Sequence, residues 1–76
     1  MSQKISFPEW VERVEKTGRA KPAIASELNI EVASLYRYLS KDRVPNKQVM
    51  DRIIKASGGL VDIAWFYLPK VEGAAA

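Results

Sequence analysis

Residues 21–40 read KPAIASELNIEVASLYRYLS. Ile24, Ala25 and Leu28 recur at the offsets that put apolar groups on one face of a short helix. Pro22 suits the opening turn of that helix, where a missing N–H costs little. Asn29 follows, and Asn is the residue after Gly that best tolerates a left-handed backbone, so a sharp bend is expected there. Ile30 plugs the angle, and Val32, Leu35, Tyr38 and Leu39 continue the apolar pattern on a second helix. The spacing predicts helices over roughly 21–28 and 32–40, joined as a helix-turn-helix. Ala25 is small where the second helix must cross close to the first, with Leu35 facing it. Glu31, Ala33, Ser34, Tyr36, Arg37 and Ser40 are left pointing away from this packing.

On the N-terminal side, Ser6-Phe7-Pro8-Glu9 reads as a capping box, with Ser6 at the N-cap and Glu9 reaching back. It opens a helix to about Lys16 whose buried face is Phe7, Trp10, Val11 and Val14, ended by Thr17-Gly18. On the C-terminal side, the basic loop Lys41-Asp42-Arg43-Val44 leads to Pro45 and a fourth helix over 46–56. Its stripe is Val49, Met50, Ile53 and Ile54, and Ser57-Gly58-Gly59 stops it. Residues 60–68, LVDIAWFYL, fit either a short fifth helix capped by Asp62 or a strand with Ile63, Trp65 and Tyr67 on one face. The expected fold is an all-α, compact bundle of about five short helices over 6–68, between a flexible N-terminus (1–5) and a flexible tail (69–76).

Seventy-six residues allow one small domain, which buries only about 60% of its unfolded surface and is often supplemented by oligomerisation. No run of eighteen apolar residues is present, so no membrane partner is expected, and the opening MSQKISFPEW lacks an apolar signal core and reads as cytoplasmic. With no Cys and no His, disulfides, zinc fingers and imidazole catalysis are excluded, and neither a metal nor a cofactor is expected. The acids are scattered, so no nucleophile and base pair emerges and an enzyme is not expected. The net charge of +3 is unevenly spread. Between Lys16 and Lys47 lie seven basic residues against three acids, while the remainder of the chain is slightly acidic, with five bases and six acids. Positive charge therefore gathers on the helix-turn-helix and its edges, as on a phosphate-binding face.

The series Lys21, Ile24, Ala25, Leu28, Asn29, Ile30, Leu35, Tyr38 resembles the Cro and phage-repressor type of helix-turn-helix domain. The similarity extends from about Phe7 to Tyr67. Two positions depart from the family pattern: Asn29 replaces the usual bend Gly, and Glu31 puts an acid where a neutral polar residue commonly opens the second helix. The resemblance implies a lambda-repressor-like DNA-binding domain whose second helix enters the major groove of double-stranded DNA. It places the base-contacting residues at Glu31, Val32, Ala33 and Arg37, and a phosphate contact at Lys21.

Chemistry supports some of these assignments more than others. Arg37 can donate two parallel bonds to guanine O6 and N7, whereas Ala33 offers only a methyl group to thymine. The competing reading of Arg37 is a surface arginine paired with Glu31 or Ser34, and Val32 serves a core equally well. Tyr38 occupies a core position. Ser34, Tyr36, Ser40, Lys41, Arg43 and Lys47 flank the helix and are expected to grip the DNA backbone, which positions a protein without reading sequence. Trp65, Phe66 and Tyr67 are three adjacent aromatics that one short element cannot wholly bury. With Ile63 they are the expected homodimer interface. The function expected is a sequence-specific transcriptional regulator, a Cro-like repressor binding an inverted-repeat operator as a homodimer. The alternatives are an antitoxin-type autoregulator that also binds a toxin, and a helix-turn-helix protein-interaction module without DNA binding.

Overall fold

Ser6 Oγ accepts a hydrogen bond from the Glu9 N–H at 3.3 Å and so caps the first helix, α1 (Phe7–Lys16). Only half of the expected capping box forms, because the Glu9 carboxylate runs along the helix to Arg13, 3.2 Å away. In the computed structural model, which describes residues 3–68, three more α-helices follow: α2 (Lys21–Glu27), α3 (Val32–Leu39) and α4 (Lys47–Ser57). The expected tail at 69–76 lies outside the described residues. Asn46 caps α4 through Oδ1, which accepts from the Val49 N–H at 2.9 Å. The architecture is all-α, with no strand among the described residues, and none of the described helices is long and apolar enough to cross a membrane.

Three of the helices stop in the same way. A residue with left-handed backbone lets its own N–H and that of the next residue turn back onto carbonyls of the last turn. After α2 it is Asn29 (φ 57°), with the Asn29 N–H on the Ser26 carbonyl and the Ile30 N–H on that of Ala25. After α4 it is Gly58 (φ 66°), with the Gly59 N–H on the Ile54 carbonyl at 2.8 Å. After α3 it is Lys41 (φ 66°), with the Asp42 N–H on the Arg37 carbonyl at 2.9 Å. Lys41 gave no stop signal in the sequence, because a side chain with a Cβ disfavours this backbone by about 1 kcal/mol or more.

All the elements feed one core. Phe7, Trp10 and Val11 come from α1, Ile24 and Ala25 from α2, Leu35 and Tyr38 from α3, and Val49, Met50 and Ile53 from α4. Leu28 closes the end of α2. Val14, Val32, Leu39 and Ile30 are half-buried around this centre.

The segment after α4 resolves the two conformations open to 60–68. Asp62 Oδ1 accepts from the Ala64 N–H at 3.1 Å and starts a short 3-10 helix, Ile63–Tyr67. Just before it, the chain pairs with the N-terminus. The Ile5 N–H donates to the Leu60 carbonyl at 3.0 Å and the Asp62 N–H donates to the Ile5 carbonyl at 2.8 Å, a single parallel bridge facing Val61. Ile5 therefore belongs to the domain and not to a free N-terminal arm. Ser57 Oγ also accepts from the Val61 N–H at 3.3 Å, tying this segment to the end of α4.

A second correction concerns the aromatics. Phe66, expected at a dimer interface, is only 4% exposed and lies 5.2 Å from Phe7, ring centre to ring centre. The 3-10 winding turns it inward, where it fills the space beside α1. Trp65 stands T-shaped to it with ring centres 5.1 Å apart, and both Trp65 and Ile63 are half-buried against the core. Tyr67 (67% exposed) and Leu68 (56%) face outward.

Phe66→Ala is accordingly expected to cost about 3–5 kcal/mol, enough to unfold much of a domain this small at room temperature. Tyr67→Ala should stay within about 0.5 kcal/mol of the parent. Urea unfolding followed by circular dichroism checks both. A small loss for Phe66→Ala would return that ring to the surface.

Candidate nucleic-acid interface

The second helix of the pair is anchored on one side and open on the other. Leu35 and Tyr38 are buried, with Val32 and Leu39 half-buried beside them. Side chains one-third of a turn away, Ala33, Tyr36, Arg37 and Ser40, point into solvent, with Tyr36 53% exposed. Glu31 stands at the N-cap, exposed, and its carboxylate makes no capping bond. Of the four residues expected to meet bases, Glu31, Ala33 and Arg37 therefore share an outer surface. Val32 does not. Its side chain packs against the core, because helical spacing sets it three residues before Leu35 and seven before Leu39, on the inward face.

Arg37 is exposed and forms no ion pair among the described residues, so the expected competing partner, Glu31, does not hold it. Arg43, Lys47 and Lys16 are likewise exposed and without an ion pair among the described residues. Ser34 is half-buried. The Ser40 hydroxyl donates to the Arg37 carbonyl at 3.2 Å and so serves the end of α3.

Two lysines expected to grip a backbone are engaged within the protein. Lys41 Nζ donates to the Leu68 carbonyl at 3.1 Å and sits 4.3 Å from the centre of the Trp65 ring, a cation–π contact. Lys21 Nζ donates to Glu15 Oε2 at 2.8 Å and lies 5.8 Å from the Tyr36 ring centre. Its pKa is raised above the usual 10.5, chiefly by the hydrogen bond to Glu15 and against a smaller opposing effect of desolvation. The pair's contribution to stability is therefore complete below pH 10.5 and fades as the pH rises through the raised value. Arg19 is paired with Glu27 at 2.6 Å.

Neither engagement was legible in the sequence. Glu15 and Lys21 are six residues apart across a helix boundary, and Lys41 and Trp65 are separated by the whole of α4. No helical spacing connects such positions. An open depression of about 330 Å³, lined by Glu27, Arg52, Lys55 and Ala56, includes none of the outward residues of α3. Arg37 and its outward neighbours Ala33, Tyr36 and Ser40 are exposed on the helix surface away from that depression.

Two measurements test these engagements. In Glu15→Gln the Lys21 ammonium, followed by NMR of its ε-carbon, should titrate at lower pH than in the parent. Lys41→Met should lower stability by roughly 0.5–1 kcal/mol and alter Trp65 emission. Unchanged emission would mean that the ammonium does not rest on that ring in solution.

Comparisons of the chain with protein-family models, with curated proteins and with solved structures each found no match.

Proposed function

We propose that this protein binds double-stranded DNA through the outer face of α3 and acts as a transcriptional regulator, a small Cro-like repressor. The observation that carries the reading is Arg37. It projects, exposed and without an ion pair among the described residues, from a helix whose other side is held by Leu35 and Tyr38. A guanidinium presented this way can make two parallel bonds to guanine in the major groove. Glu31 is able to accept from the amino group of cytosine, and Ala33 to meet a thymine methyl. Tyr36, Arg43 and Lys47 supply phosphate contacts at the edges of the helix.

A homodimer completes the proposal. Tyr67, one of the residues expected there, and Leu68 are large apolar side chains left exposed, and with Phe66 buried they are the residues offered to a second copy. Two copies of α3 related by a two-fold axis meet successive major grooves about 34 Å apart, so the operator is an inverted repeat with half-sites about 10 base pairs apart. Occupancy then follows protein concentration, and the bound dimer blocks RNA polymerase sterically in the cytoplasm. A second reading, a helix-turn-helix module that binds another protein and leaves DNA alone, draws on the same exposed Tyr67–Leu68 end.

Selection from a random duplex pool, followed by binding at several salt concentrations, tests the proposal. The logarithm of affinity should fall by about 0.9 per neutralised phosphate for each unit in log salt. Arg37→Ala should relax preference at one base pair of each half-site and cost about 1–3 kcal/mol there. Lys47→Ala should weaken all sequences alike and reduce the salt slope by about one unit. If no duplex is bound at low salt, the protein-interaction reading takes over. If Arg37→Ala loses affinity without a change in preferred sequence, Arg37 contacts phosphate and not base.

A further inference from the structure

We propose that Glu15 is a positioning residue for this interface: by holding the Lys21 ammonium, it keeps one cation out of the phosphate grip and sets the strength of sequence-independent binding. The inference rests on the DNA-binding reading above.

The geometry brings three elements together. Lys21 is the first residue of α2, and its ammonium lies beside the Tyr36 ring on the outward face of α3, next to Arg37. It is therefore at the edge of the surface that would meet the duplex. Its hydrogen-bonding partner comes from neither of these helices: Glu15 reaches it from the last turn of α1, at 2.8 Å. A carboxylate oxygen and a phosphate oxygen offer a lysine the same bond, so Glu15 occupies the contact that a phosphate would take. Both side chains remain partly open to solvent, 27% for Lys21 and 35% for Glu15. An ion pair so exposed contributes little to folding. Its main consequence is that a lysine at the interface edge arrives neutralised, with a negative charge next to the path of the DNA backbone.

Helix α1 carries an internal control. Glu12 is exposed on the same helix and forms no ion pair among the described residues. Glu12→Gln and Glu15→Gln change the net charge of the protein by the same amount. Only the second frees Lys21.

The test measures binding of the full chain to a labelled mixed-sequence duplex, long enough for a dimer, across a range of salt. Four proteins are compared: the parent, Glu15→Gln, Glu12→Gln, and Glu15→Gln combined with Lys21→Ala. Circular dichroism confirms that each is folded. Glu15→Gln should bind more tightly at low salt, and its log–log salt slope should steepen by about 0.9 for each Lys21 released. Glu12→Gln should keep the parental slope, and the double variant should return to it. Three results would overturn the proposal: an unchanged slope in Glu15→Gln, an equal steepening in Glu12→Gln, or a steepening that survives in the double variant. Each of these leaves DNA binding itself intact. Failure of the parent and of all variants to bind any duplex would instead remove the DNA-binding reading, and this inference with it.

Discussion

The Ile30 N–H meets the Ala25 carbonyl at 2.9 Å, and that bond exists because Asn29 adopts a left-handed backbone. It ends α2 and fixes where α3 starts. Leu28 and Ile30, on either side of the bend, pack inward and hold the turn against the core. With the turn set, Leu35 and Tyr38 face inward, and Tyr36 and Arg37 must face out, since a helix places neighbours about 100° apart. A β-branched residue at position 29 would be strained there, and the orientation of α3 would lose its reference.

Around this unit the chain closes on itself at its two ends. Ile5 pairs with the segment at Leu60 and Asp62, and Phe66 packs on Phe7. In a domain this small, no single pair of helices buries enough apolar surface to be stable, so the first and last described elements are drawn into one core. That demand takes Phe66 out of the surface and leaves Tyr67 and Leu68 as the exposed apolar residues at that end. Lys41 then ties α3 to the same end through the Trp65 ring and the Leu68 carbonyl. The helix that carries Arg37 is thus linked at its C-terminus to the part of the chain that the dimer proposal uses.

The seven basic residues from Lys16 to Lys47 separate into two groups. Arg19, Lys21 and Lys41 have partners within the protein, while Lys16, Arg37, Arg43 and Lys47 are exposed with no ion pair among the described residues. The excess of positive charge counted along the sequence therefore overstates what reaches a ligand. What remains is spread over the end of α1, α3, the loop after it and the start of α4. A field of this kind attracts nucleic acid at a distance and weakens with salt.

The sequence by itself determined the helices and their inner faces. Ser6 caps α1 as expected, Asn29 and Gly58 end helices as expected, and most of the apolar stripes of α1 to α4 became the core. These features depend on bonds and spacings within a few residues, which a linear pattern records. The outward set on α3 was legible for the same reason. Tertiary structure alone decided the rest. It turned Phe66 inward, brought Ile5 to Val61, gave Lys41 a left-handed backbone, and paired Lys21 with Glu15. Each of these involves groups whose separation in space is unrelated to their separation along the chain. An aromatic or a lysine finds its partner only after the helices have packed.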